Sequence, residues 1–408
     1  MSLATVDADA VIVGGGVAGL WTLARLAQAG YGCILLENEA LGTGQTIAAQ
    51  GIIHGGIKYA LSGAAGRASE AIFPMPSLWR SALEGRGPVT LPGAIVLSDR
   101  QYLWTAPGFL ARAAGFLASK MFHSVCKTVD SGSQPAFKGE NGRTRLYEVE
   151  EQVLDVSSVI RALTAPSRNL NLLLSPSAQT QIHGDGTVEL TSRSGRGDLR
   201  IRARRLILTA GGGNRELLDN LGIDNAPKTG IASQRRPLHM GLARGMRLPT
   251  LYGHCLTTSS KPRVTVTTHR DRQGRVVWHI GGDVAETGVE RDHDAQIIEI
   301  KRELADCLPW LPWNDLSCEF STYRVDRAEG LTSDGSRPDE PVWRESGNVI
   351  AIWPTKLAFA PKVAEDLLNH LQASGVEPSA KIDPDALAGW NRPEIAVPPW
   401  ERDDRTWS

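Results

Sequence analysis

The chain has 408 residues, 41% of them hydrophobic, enough for two domains that each bury a core. Its 44 basic and 45 acidic residues leave a net charge of −1, which removes any electrostatic reason to expect nucleic acid or an anionic membrane as the main partner and favours a small-molecule ligand. Five cysteines (Cys33, Cys126, Cys255, Cys307 and Cys318) have neither CxxC spacing nor the density of a disulfide scaffold. The start MSLATVDADAVIVGGG carries acids ahead of an apolar run too short for a signal or membrane segment, so a reducing, cytoplasmic setting is expected, without a metal site.

The segment DADAVIVGGGVAGLWTLARLAQAGYGCILLEN reads as strand, turn, helix, strand. Gly14 permits the tight turn, Gly16 lets a pyrophosphate approach the backbone, and Gly19 lets helix and strand pack closely. The first N–H groups of the helix, at Val17 and Ala18, attract phosphate. Glu37 ends the second strand, where its carboxylate can accept hydrogen bonds from an adenosine ribose and would repel a 2′-phosphate, which disfavours NADP. The triple glycine, Leu26, Gly30 and the acid-ended strand resemble the N-terminal signature of glutathione-reductase-like flavoproteins, which implies FAD. Leu23 departs from that pattern, where a small residue is usual.

Next, ALGTGQTIAAQGIIHGGIKYAL reads as small-residue loop and helix. Thr43, Gly44, Gln45 and Thr46 can donate to phosphate and sugar oxygens, although an ordinary polar turn would look the same. The expected cofactor contacts extend to Asn38, Ala49, Gln50 and Gly51. LPGAIVLSD reads as a strand, and residues 108–122 as an amphipathic helix with Arg112 and Lys120 on its polar side. That stripe is read as core, with contact to a membrane surface the lesser alternative. DSGSQPAFKGENGRTR reads as an exposed loop, and residues 231–283 as β-rich.

The strand and Ala-Gly turn in RRLILTAGGGNRELL, with Ala210 and Gly211, together with YEVEEQVLDVSSVIRAL, resemble the D-amino-acid-oxidase-like family of FAD-dependent oxidoreductases. That family includes glycerol-3-phosphate dehydrogenases and 2-hydroxyglutarate oxidases. The resemblance implies an α/β fold: a glutathione-reductase-like FAD-binding Rossmann-type domain from residues 1–85, 145–225 and 320–375, and an α+β substrate domain with a mostly antiparallel sheet from 86–144 and 226–319. Residues 376–408 are left as a C-terminal tail.

Several side chains are candidates for chemistry. IIHGGIKYAL is similar to the IHGG-aromatic segment of glycerol-3-phosphate dehydrogenases, which implies that it runs along the flavin. Removing hydride from a carbon bearing OH needs a base for the hydroxyl proton, and histidine suits neutral pH, so His54 is the first candidate. A structural histidine is the plain alternative, and a covalent link from His54 to the flavin a third reading; non-covalent FAD is favoured. Lys58 could hold a carboxylate or phosphate, or lie solvated at the cleft mouth. IWPTKLAFAP resembles the Gly-Gly-Lys-Leu-Thr segment of the same dehydrogenases, with Trp353, Pro354 and Thr355 as departures. It puts Lys356 where a cation would stabilise the reduced ring, with backbone contacts from Thr355 and Leu357.

Arg324, Arg327 and Glu329 lie in STYRVDRAEG, and either arginine could fix an acidic substrate by paired donors. His269 sits in a hairpin resembling that of hydroxy-acid oxidases, and Arg235, Arg236 and His239 lie on an earlier strand. The expected activity is hydride transfer from a 2-hydroxy acid or polyol phosphate to flavin N5, with O2 or a quinone as electron acceptor. Oxidation of a D-amino acid or secondary amine is the close alternative, and a flavin-binding recognition protein without turnover the distant one. Oligomeric state is left open.

Overall fold

A computed structural model describes residues 4–56, 67–107, 126–142, 144–194, 197–224, 231–257 and 261–408. In chain order its strands are β1 (Ala4–Val13), β2 (Cys33–Glu37), β3 (Val96–Ser98), β4 (Gln101–Thr105), β5 (Lys127–Val129), β6 (Leu146–Val149), β7 (Val153–Leu154), β8 (Asn171–Leu173) and β9 (Gln179–Ile182). They continue as β10 (Val188–Ser194), β11 (Gly197–Leu208), β12 (Ser233–Gly245), β13 (Gly253–Leu256), β14 (Val264–Arg270), β15 (Val276–Gly281), β16 (Glu319–Gly330), β17 (Val342–Ser346) and β18 (Val349–Trp353).

The first sheet has the order β17-β18-β11-β1-β2-β8, with β10 and β9 added on β11. Its centre is parallel: β1 pairs with β2 and β11, and β11 with β18. Parallel strands covered on both faces need unbroken apolar runs, and Val11–Val13, Cys33–Leu36, Leu206–Leu208 and Val349–Trp353 supply them. Helices Val17–Gln28 and Ala360–Ala373 pack together on one face through residues that include Leu20, Leu23, Val363 and Leu367. Leu23 is fully buried in that contact, so the departure from a small residue fills the helix interface.

The second sheet has the order β16-β12-β15-β14-β13-β4-β6-β5 and is antiparallel except where β13 runs along β4. Two segments expected on the dinucleotide side, β6 and the long β16, are strands of this sheet instead. β16 pairs with β12 over its full length, from Glu319 opposite Arg244 to Gly330 opposite Ser233, so the Arg324–Glu329 region belongs to the roof over the cleft. Only residues 241–245 of β12 also pair with β15. The first half therefore has a free edge, which tolerates Pro237.

The loop between β2 and the histidine segment is a run of turns over residues 42–49, and no helix forms in residues 40–56. Gly42, Gly44 and Gly51 all take positive φ there, which breaks the helical path. The amphipathic segment 108–122 and Lys58 lie outside the described residues. Among the described residues no helix is long and apolar enough to cross a membrane.

The C-terminal segment is a strap rather than a loose tail. Asp9 on β1 accepts from the backbone of Ser379 and Ala380, and Ala396 donates to Leu41. Beyond that the chain crosses to the second sheet, where Trp400 stacks on His269 at 4.2 Å between ring centres and Ser408 exchanges two backbone hydrogen bonds with Phe320. One segment thus ties both sheets together.

Candidate functional site

A cavity of about 1420 Å³ opens where the β1 turn, the loop 43–56, the end of β11, the free half of β12, β16 and residues 354–357 converge. It exceeds the roughly 300–1,000 Å³ usual for drug-sized ligands and can take a dinucleotide with a second small molecule.

At one end stands the glycine turn. Gly14 has φ 111°, and a Cβ there would lie 2.5 Å from the backbone nitrogen of Ala210; a Cβ on Gly19 would meet the Gly14 carbonyl at 2.1 Å. Gly16 caps the helix with no side-chain partner, which leaves the first N–H groups directed at the cavity apart from Val17 N, which donates to Thr46 Oγ1 at 3.1 Å. Ala18 lines the same turn. Glu37, buried, accepts from Gly15 N at 2.6 Å through one carboxylate oxygen and from the Asn38 and Glu39 backbone through the other. The carboxylate is thereby held at the end of β2, with lone pairs left for a ribose. Replacing Gly14 with alanine is expected to cost about 2 kcal/mol or more, through a strained φ and a backbone clash, and to lower the FAD content. The flavin-to-protein absorbance ratio of the purified variant is the check; an unchanged ratio counts against the turn as cofactor cradle.

The loop after β2 divides its side chains. Thr46 serves the turn, and Thr43 and Gly44 border the cavity. Gln45 accepts from Ala328 N at 3.1 Å, and Gln50 donates to the carbonyls of Thr265 and His279 at 3.0 and 2.8 Å. These two amides stitch the loop to the second sheet, with Ala48 and Ala49 between them on the cavity wall.

Gly51 then lets the chain lie against β7: its φ is 73° and a Cβ would meet the Leu154 carbonyl at 2.0 Å. Leu154 N donates to Gly51 O, and Ile53 N to Gln152 O, both at 2.9 Å. This pairing sets His54 beside Glu151. The Glu151 carboxylate, 4% exposed, lies 3.2 Å from His54 Nδ1 and accepts from Gly55 N at 2.7 Å and Gln101 Nε2 at 3.3 Å. His254 adds a near-parallel ring, 6.0 Å away between centres, with its Nδ1 2.8 Å from Thr265 Oγ1. One donor atom from each of His54, Glu151 and His254 falls within 4.8 Å of the others, a two-histidine, one-carboxylate set of the kind that also suits zinc or ferrous iron. Sequence reading missed Glu151 and His254. The acids of EVEEQVLD read only as an acidic lead into the following strand and helix, and their pairing with the histidine segment is a long-range contact.

Residues 353–357 close another wall. Trp353 is fully buried and donates to Gly211 O at 3.2 Å, which fixes the turn after β11 with Ala210 beside it. Thr355 takes φ 63°, rare for a β-branched residue, at the centre of a tight turn in which Lys356 N donates to Pro354 O at 2.7 Å. Lys356, 9% exposed, caps the helical turn Leu357–Phe359 that leads into helix Ala360–Ala373. A buried cation at a helix N-terminus adds two positive fields at one wall.

On the roof, Arg327 spans Glu286 with both terminal nitrogens at 3.2 Å, and Arg236 contacts both oxygens of the fully buried Glu329 at 3.3 and 3.2 Å. Burial first, then the charges of Arg337 and Arg236, lower the pKa of Arg327, which stays protonated at neutral pH. Burial alone would raise the Glu286 carboxyl, but Lys261, Arg327 and Arg236 hold it below the ordinary range.

Four candidates lie at the rim or away from the site: Arg324 and Arg235 border the cavity with exposed side chains, and two histidines do not line it. Arg324 is largely exposed at the rim and donates to the carbonyls of Val289 and Arg291. Arg235 is exposed and pairs with Asp326 at 3.5 Å. His239 points to the opposite face of β12, between Gly288 O and Thr322 Oγ1. His269 does not border the cavity. It shares the face of β14 that carries Thr265 but lies further along the strand, where Trp400 covers it and burial drives its pKa well down.

A parallel sheet with a glycine turn and terminal acid, a second sheet roofing the cleft, and a histidine-carboxylate pair between them define a dinucleotide-dependent enzyme of two-sheet architecture. The chain belongs to the FAD dependent oxidoreductase (DAO) family, whose pattern matches residues 9–352. It is 43% identical over 395 residues to the probable FAD-dependent oxidoreductase PA4991 of Pseudomonas aeruginosa, covering 96% of this chain and 97% of that protein. The crystal structure of PA4991 superposes with a TM-score of 0.78 at 38% identity, covering 98% and 99% of the two chains. L-alpha-glycerophosphate oxidase from Mycoplasma pneumoniae, with FAD bound, has a TM-score of 0.64 at 14% identity over 93% of this chain and 98% of that one. Glycine oxidase from Geobacillus kaustophilus has 0.61 at 13% over 95% and 100%. These last two share the fold.

Proposed function

We propose that this FAD-dependent oxidoreductase removes hydride from a CH–OH carbon of a small acidic substrate, a 2-hydroxy acid or a polyol phosphate. The observation that carries the reading is the His54–Glu151 pair, 3.2 Å apart, in the same cavity as the Arg327 cluster. When bound, FAD supplies the hydride acceptor. Glu151 fixes His54 through Nδ1, and Nε2 is the nitrogen that takes the hydroxyl proton. Arg327 holds the acid group, Lys356 stabilises developing negative charge, and the wall of Ile52, Met240 and Leu238 excludes water. The electrons pass on to O2 or a quinone, and five unbridged cysteines fit a reducing, cytoplasmic setting.

Anaerobic mixing of the holoenzyme with 2-hydroxy acids, polyol phosphates and amino acids, read as loss of flavin absorbance, tests this. Bleaching by hydroxy compounds is the expected result; bleaching by amines alone moves the reaction to CH–NH. A second expectation concerns attachment. With its Nδ1 held by Glu151, His54 is read as a base rather than a flavin link, so acid precipitation should release the colour into the supernatant. A yellow pellet assigns a covalent flavin.

A further inference from the structure

The roof of the cavity carries more positive charge than its own carboxylates balance. Lys261 lies 2.5 Å from Glu286, and Arg327 3.2 Å from the same carboxylate. Arg236 bridges, 3.2 Å from Glu329 and 3.8 Å from Glu286, and Arg337 reaches Glu329 at 3.8 Å. Four cations thus share two carboxylates, an excess of two positive charges. The four cations and Glu286 border the cavity, and Glu329 is wholly buried behind them.

Other acids do not make up the difference. Asp326 is paired with Arg235, Asp334 caps its own turn at Ser336, and Asp339 is exposed. The segments outside the described residues contain no aspartate or glutamate. The cofactor phosphates belong at Gly14 to Val17, whereas this cluster is anchored to Thr355, whose carbonyl accepts from Arg337 Nη2 at 3.3 Å. The Nε of Arg337 is buried without a hydrogen-bond partner. Half-buried like charges repel in a medium of reduced dielectric, and a bound anion relieves that cost while using guanidinium donors the glutamates leave over.

We propose that the substrate of this site is a dianion, a dicarboxylate or a phosphate monoester, held by Arg236, Arg327, Arg337 and Lys261. The inference rests on reading this cavity as the substrate site and narrows the acidic substrate to one carrying two negative charges. Both roof glutamates can stay ionised when it binds, because the excess charge exists with both ionised.

The test is a titration of the oxidised holoenzyme at pH 8 and constant ionic strength, read as perturbation of the flavin spectrum. Succinate is compared with butyrate, its monoanionic counterpart of equal length, and inorganic phosphate is run in parallel. Succinate or phosphate should bind about tenfold or more tightly than butyrate, as expected for one additional charge-assisted contact. Arg236→Gln should weaken the dianion by about tenfold and leave butyrate within about twofold. If that variant loses FAD, Arg337→Gln, on a half-exposed side chain, gives the same readout. Tightening by succinate alone assigns a dicarboxylate, by phosphate alone a phosphate ester, and by both a general dianion site. Equal affinity for butyrate, succinate and phosphate overturns the proposal. Dianion selectivity without flavin reduction by any hydroxy compound would sink the CH–OH reaction and leave this inference standing.

Discussion

Flavin reduction in the His54→Ala variant is expected to be about 10²- to 10⁴-fold slower than in the parent, the span over which a positioned general base contributes. FAD content and thermal unfolding should change little, since His54 is half-buried and the fold of its segment is set by Gly51 and Ile53 backbone pairing. Stopped-flow bleaching under anaerobic conditions, with the best substrate from the screen, is the measurement. If the rate and the flavin attachment are both unchanged, the segment GIIHGGIKYAL is scaffold and the base lies elsewhere. Glu151 acts through His54, so Glu151→Gln should slow reduction less, by roughly 10- to 100-fold, and shift the pH profile of the rate. Dialysis against EDTA separates this from metal chemistry at His54, Glu151 and His254. With Glu151 holding His54 and no metal in the reaction, the rate should survive; loss restored by added zinc or ferrous iron would reassign the three residues as ligands.

Acid should destabilise this protein steeply, through two histidines under the C-terminal strap. Burial lowers the pKa of His279 to about 3 and that of His269 well below the ordinary value, to which His279 adds. In the unfolded chain both titrate near 6.5. Above pH 6.5 they are neutral in both states and cost nothing. Between 6.5 and about 3 the unfolded chain takes up protons that the folded one does not, so stability falls as pH falls. His279 alone contributes up to about 1.4 kcal/mol per pH unit and should remove roughly 2 kcal/mol between pH 6.5 and pH 5, with His269 acting in the same direction. Urea unfolding across that range should show the loss. His269→Phe, which keeps a ring under Trp400, should show a shallower slope than the parent. Identical slopes in parent and variant would show that the histidines are protonated, or solvated, in the folded state.

His269 shows why strand pattern alone misplaces a functional group. The hairpin and its inward face were legible from alternation in PRVTVTTHRDRQGRVVWHIGG. What lies over each inward position was not, because Trp400 reaches His269 from more than a hundred residues later. The same holds for β16, where either arginine read as a holder of an acidic substrate: the strand pairs along its whole length with β12, and it puts Arg327 on Glu286 in the cavity roof and Arg324 at the exposed rim. Glu151 shows the converse, an acid that local pattern gave no role and that long-range pairing buried against His54.

Local chemistry was enough for the dinucleotide turn: three glycines, a strand before them, a helix after them and Glu37 at a fixed interval all act within forty residues. The tight turn, the phosphate-facing N–H groups and the ribose acid follow from backbone sterics and hydrogen bonding at short range, so the sequence by itself determined a dinucleotide site, while FAD and the family came from the resemblance of its motifs. The partner of His54, the burial of His269, the strap and the excess charge on the roof were decided by the tertiary structure. Each depends on which residues meet across the two sheets, and that is set by register and packing over hundreds of residues rather than by any local pattern.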